Sequence, residues 1–144
     1  MGARGAAAIF GPFFAQVALT LAVWLWMYAK RLPFILRERL GDEALTPAEL
    51  ARRSPPDVAR PSDNLKNLFE LPVVFYALCL YLYVRGEVDG PALAAAWTFV
   101  AFRAAHSLVH VTGQPVRLRF ALYVVSSIAL WWLAARAAWH WLAA

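Results

Sequence analysis

Apolar residues fall along this chain in four long blocks rather than at amphipathic spacing. Ile9 to Ala29 carries no charge, and Leu68 to Val84 carries only Glu70. Pro91 to Val111 carries Arg103 and two histidines, and Phe120 to Ala144 carries only Arg136 and His140. A helix needs about 20 apolar residues to cross a hydrocarbon layer of roughly 30 Å. Each block meets that length, the second with a few flanking residues. The pattern predicts an all-α integral membrane four-helix bundle, one transmembrane domain over 1–144 with spans about 8–29, 65–84, 91–111 and 119–142.

The polar stretches between the blocks set the order of the helices. The long one, roughly 30–62, reads as an extramembrane loop, its first part extending the first helix or lying along the interface. Within it Thr46-Pro47-Ala48-Glu49 has the form of a capping box with proline at the first helical position, opening a short helix to about Arg53. Ser54-Pro55-Pro56 ends that helix, and Ser62 or Asp63 is placed to cap the second span. Arg85 to Pro91 and Thr112-Gly113-Gln114-Pro115 read as tight turns. Such short connections set consecutive helices side by side in an up-down bundle.

Composition agrees: 62% of residues are hydrophobic and 16% charged, against roughly 25% charged in a soluble domain. Eight basic residues lie between Lys30 and Lys66, and Arg117 and Arg119 follow the third block. The other face holds Arg4, Arg85 and Arg136. Positive-inside counting puts both basic loops in the cytoplasm and both termini outside, periplasmic in a bacterial inner membrane, which the Ala- and Arg-rich composition suggests. The net charge of +5 follows from that topology, so no nucleic-acid partner is implied. The first block exceeds a signal-peptide core, ends in Trp24, Trp26 and Tyr28 before Lys30-Arg31, and reads as a retained helix. The single cysteine, Cys79, reads as a buried structural thiol.

Ionisable groups inside a bilayer are costly unless paired and mark functional sites. Asn67 and Glu70 share a face of the second helix. Arg103, His106, Ser107 and His110 share a face of the third, and Arg117 begins the fourth. All fall at the same membrane boundary and can converge on one polar pocket. A Glu70–Arg103 pair would neutralise both charges and join two helices, giving a purely structural reading. His106, His110 and Glu70 are the one set with metal-ligand spacing, but two histidines at that spacing are common by chance, and no metal is assigned.

Several of these elements together resemble the MAPEG family, the membrane-associated proteins of eicosanoid and glutathione metabolism. Val58-Ala59-Arg60 followed by Asn67-Leu68-Phe69-Glu70 is similar to the family's Val-x-Arg and Asn-x-x-Glu elements. Arg103-Ala104-Ala105-His106, with His110 and Pro115-Val116-Arg117, is similar to its third-helix motif and the Pro-x-Arg that follows. The resemblance covers essentially the whole chain. It implies a homotrimer in the lipid membrane that binds glutathione as co-substrate at each subunit interface. A lipophilic small-molecule substrate would enter from the bilayer. Carried over by position, Asn67, Glu70, Arg103, His106, His110 and Lys30 would bind the peptide, and Arg117 and Arg31 would stabilise its thiolate.

The implied activity is that of a glutathione transferase or peroxidase acting on lipophilic electrophiles. Asp63, Asn64 and Leu65 stand where the family usually has basic residues, and His110 where it has tyrosine. Those departures support an alternative, a non-catalytic member binding lipid or a partner. A proton relay or transporter built on Glu70 and the histidines is a third class, disfavoured by the absence of an internal repeat.

Overall fold

The computed structural model describes residues 3–113 and 115–143, with side chains from residue 5 onward. Gln114 of the expected turn and the Arg4 side chain lie outside the described residues. A short α1 (Ala3–Ala6) and a 3-10 turn (Ala7–Ile9) run directly into α2 (Phe10–Arg37). There follow α3 (Pro47–Arg53), α4 (Pro56–Leu68), α5 (Leu71–Arg85), α6 (Gly90–Thr112) and α7 (Val116–Leu142). No strand occurs among the described residues.

Four stretches are long and apolar enough to cross a membrane: Ala7–Arg37, Pro56–Arg85, Gly90–Thr112 and Val116–Leu142. In each, most of the apolar window faces outward rather than into the protein. Leu21, Trp24, Val84, Ile128, Trp131 and Trp139 are among the large exposed side chains. That distribution is what a lipid environment stabilises.

Helix α6 is the most buried of the four and packs along α7, with α2 and α4 against its other side, while α5 bridges α2 and α7. Small residues allow the close approach: Ala92, Ala96 and Ala137 are buried where α6 and α7 join the core. Phe75 and Phe99 stack at 4.5 Å between ring centroids, with Cys79, Leu82, Leu130 and Leu133 in the same cluster. Cys79 is buried and unbonded.

The helix ends show where local sequence rules hold and where they yield. Gly86 closes α5 with φ 68°, and Asp89 caps α6, accepting from the Ala92 N–H at 3.0 Å. Asp89 also pairs with Arg136 of α7 at 2.5 Å, while Glu87 meets Arg85 at 3.2 Å and His140 at 3.6 Å. This latch ties the α5–α6 turn to the end of α7. Gly113 closes α6 with φ 73°, and a Cβ there would run into the Arg60 guanidinium, so α4 is clipped to the α6–α7 turn.

Two expectations are corrected. The Thr46 hydroxyl makes no cap bond, and the Glu49 carboxylate, which a capping box would turn back to the Thr46 N–H, accepts from Arg52 and Arg53 instead. The helix leading into the second span starts at Pro56, not at Ser62 or Asp63. Proline supplies the helical φ of its first position, and Val58 buries beside Phe34 and Leu50. The first part of the stretch 30–62 does extend the first helix, with α2 continuing through Pro33 to Arg37.

Candidate functional site

The second span is broken at Phe69-Glu70. Pro72 has no N–H for the Leu68 carbonyl, and its ring excludes a carbonyl four residues back, so α4 cannot continue into α5. The break frees the Asn67 carbonyl from its helical donor, and the Arg103 guanidinium donates to it through Nη2. Arg103 thus caps the C-terminal end of α4, where a cation is favoured by the helix dipole.

Arg103 is fully buried. Its guanidinium carbon lies 5.2 Å from the Tyr123 ring centroid and 6.0 Å from that of Phe99. Nε and Nη1 have no hydrogen-bond partner among the described residues. The expected pair with Glu70 does not form: Glu70 sits at the break with an exposed side chain. The break rotates it away from the face it would share with Asn67 on a continuous helix.

Neutral hydrogen bonds surround this cation. The Asn67 amide donates to the Asp63 carbonyl at 3.2 Å and to His110 Nδ1 at 3.4 Å, which puts the His110 proton on Nε2. His106 Nδ1 donates to the Arg119 carbonyl at 2.9 Å, leaving Nε2 as a buried acceptor with no partner. The two imidazoles meet edge to face at 5.7 Å. Ser107 donates to Asn64 Oδ1 at 3.3 Å, and the Asn64 amide nitrogen, fully buried, is also without a partner.

The structure therefore brings Asn67, Arg103, His106 and His110 into one network at the α4–α6–α7 junction, with Glu70 at its edge. Arg117 is exposed at the start of α7. Arg31 is half-buried and donates to Ser62 of α4 at 2.6 Å. Lys30 turns to a different part of α4, 3.6 Å from Asp57. No three His, Cys, Asp or Glu side chains gather as a metal site among the described residues.

Sequence reasoning missed Asn64 and Tyr123 as members of the network. It also passed over Gln16, which is fully buried on α2 with both amide atoms unpartnered. The signal for Gln16 was available: it is an amide inside an otherwise apolar span.

Four apolar helices, with a polar network enclosed where three of them meet, define a small helical membrane protein. Residues 9–139 match the model of the MAPEG family, and the chain belongs to that family. It is an integral membrane protein. No curated protein and no solved structure matches it.

Proposed function

We propose that this protein binds glutathione at the α4–α6–α7 network and transfers the glutathionyl group to lipophilic electrophiles, or reduces lipophilic peroxides to alcohol and water as two glutathiones become the disulfide, as a homotrimer in a bacterial inner membrane. In this reading the termini are periplasmic and the basic segments cytoplasmic. Family membership supports the general activity. The observation that carries the reading to this site is Arg103, a fully buried cation with two unpartnered donors and no carboxylate within ion-pair distance among the described residues. An unpaired buried charge is strongly destabilising, so such a group calls for an anionic ligand.

Glutathione fits the donor set. Arg103 Nε and Nη1 suit a carboxylate, with the Asn64 amide as a further donor. The exposed Glu70 suits the peptide's ammonium. Arg117 and Arg31 are the cations available to lower the thiol's pKa and hold thiolate for attack. Arg31 is preferred to Lys30 because Lys30 already faces Asp57. Conjugation forms a sulfur–carbon bond as the electrophile's leaving group departs, or as its carbanion takes a proton.

One observation favours the non-catalytic alternative. Lys66, the cation just ahead of Asn67, is paired with Asp63 at 2.9 Å. Calorimetry on detergent-purified protein separates the possibilities. Saturable binding at one site per subunit, weakened about tenfold or more in both Arg117→Ala and Glu70→Gln, is the expected result. No binding at millimolar glutathione would overturn the reading. Binding without turnover of a thiol-reactive electrophile would leave the ligand and remove the reaction.

A further inference from the structure

A second polar feature lies on the other side of α2. Where its apolar run ends, α2 and the start of α4 enclose a cavity of about 310 Å³. Lys30, Arg37 and Asp57 line it, over a floor that includes Phe34 and Val58. A groove of about 490 Å³, lined by Ala22, Leu25 and Trp26, runs along α2 and shares Ala29 and Lys30 with the cavity. The pair forms one notch, apolar on the bilayer side and charged at its mouth.

We propose that this notch binds a phospholipid whose headgroup joins a phosphate to a primary ammonium. Four features of the mouth match that zwitterion. Lys30 and Arg37 are seven residues apart on one face of α2, and their long side chains can meet on one phosphate between them. Arg37 is held only by its exposed neighbour Glu38, at 3.4 Å, a contact that exchanges readily with solvent or ligand. Asp57 places a carboxylate beside Lys30, where the ammonium next to a bound phosphate would fall. Pro33, also in the lining, has no N–H to give the carbonyl of Ala29, another lining residue, which therefore lacks its usual helical donor.

A primary ammonium has three hydrogens for the carboxylate and the carbonyl; a quaternary choline has none. The purely anionic glycerol headgroup would meet Asp57 as a repulsion. The acyl chain occupies the groove along Ala22, Leu25 and Trp26, which distinguishes a lipid from a free phosphate ester. A general basic surface predicts the reverse preference, for the anionic lipid.

The test is lipid retention by the full chain, read by native mass spectrometry after exchange through bilayer discs of equal phosphatidylethanolamine, phosphatidylglycerol and phosphatidylcholine. The wild-type protein should retain the ethanolamine lipid about five- to tenfold over the other two, on the scale of one or two charge-assisted hydrogen bonds. Asp57→Asn should bring ethanolamine and glycerol lipids to parity, and Lys30→Gln with Arg37→Gln should lose both. Pro33→Ala gives the Ala29 carbonyl its usual helical donor while favouring the helix, so it remains informative if Asp57→Asn folds poorly; it should reduce the preference by several-fold. Preferential retention of the glycerol lipid, equal retention of all three, or an ethanolamine preference untouched by Asp57→Asn and Pro33→Ala would each overturn the proposal. Retention is read without glutathione present, so its failure is distinguishable from a failure of the glutathione reading, with which the notch shares Lys30.

Discussion

The two ends of α6 solve the same problem in opposite ways. At its start, Asp89 and Glu87 face Arg136, Arg85 and His140, and Asp89 also caps the helix. Each acid has a base, and part of each pair reaches the surface. Toward its other end, Arg103 is more deeply buried and meets only a carbonyl and two aromatic rings. The difference teaches that charge inside this bundle is not by itself a sign of function. Balanced charge fastens helices together, whereas an unpaired buried cation is what the proposed ligand would neutralise.

Three variants test that contrast. The largest effect is expected from Arg103→Met, which replaces the cation with an apolar chain of similar length. Removing an unpaired buried charge is stabilising, and losing the bond to the Asn67 carbonyl is destabilising, so the two effects oppose each other. Thermal unfolding should therefore change little, while glutathione affinity falls about 100-fold, the scale of losing a buried charged hydrogen-bond pair. Unchanged affinity would reduce Arg103 to a helix cap and erase the contrast between the two ends. Next is Asp89→Ala, which removes both the cap and the Arg136 pair. Unfolding should show a loss of about 1–2 kcal/mol, with glutathione binding as in the wild type. A matching loss of affinity would show that the two ends are coupled.

The smallest effect is expected far from both, at Glu49. Hydrogen bonds from Arg52 and then Arg53 hold its carboxyl below the ordinary value of 4.5. A depressed carboxyl stabilises the folded state above that ordinary value, and the contribution disappears as pH falls through the lower folded value. Glu49→Gln should therefore leave the melting temperature at pH 7 within error, and any difference should vanish below pH 4.5 as Glu49 takes up its proton. A large shift at pH 7 would mean that α3 carries more of the fold than its exposed ion pairs suggest.

The four helices were legible because a bilayer demands uninterrupted apolar length, a property of composition that survives any error in register. The two turn glycines were legible for a related reason, since a single residue type marks the position. What escaped depends on groups that sequence does not display. The partner of His106 is the backbone carbonyl of Arg119, and the partner of Arg103 is a carbonyl exposed only because Pro72 breaks the span. The Glu70–Arg103 pair of the purely structural reading does not form, and the break at Phe69-Glu70 leaves Glu70 exposed. Asn64 sits in a polar stretch where an amide reads as turn material, so its burial against Ser107 left no trace in the pattern. The capping box at Thr46 failed for a simpler reason: the two arginines that follow Glu49 engage the carboxylate that would have accepted from the Thr46 N–H.

Helix α2 has a further consequence. Its 28 residues make a rod about 42 Å long, well beyond a hydrocarbon thickness of roughly 30 Å. The surplus lies at the Lys30–Arg37 end, past the last long apolar run. A thicker bilayer would draw that end toward the acyl chains, and a thinner one would leave it standing in water. The protein should therefore tilt or settle differently as its host changes acyl-chain length, making membrane thickness a variable that acts on the α2–α4 seam before it reaches the enclosed network beneath.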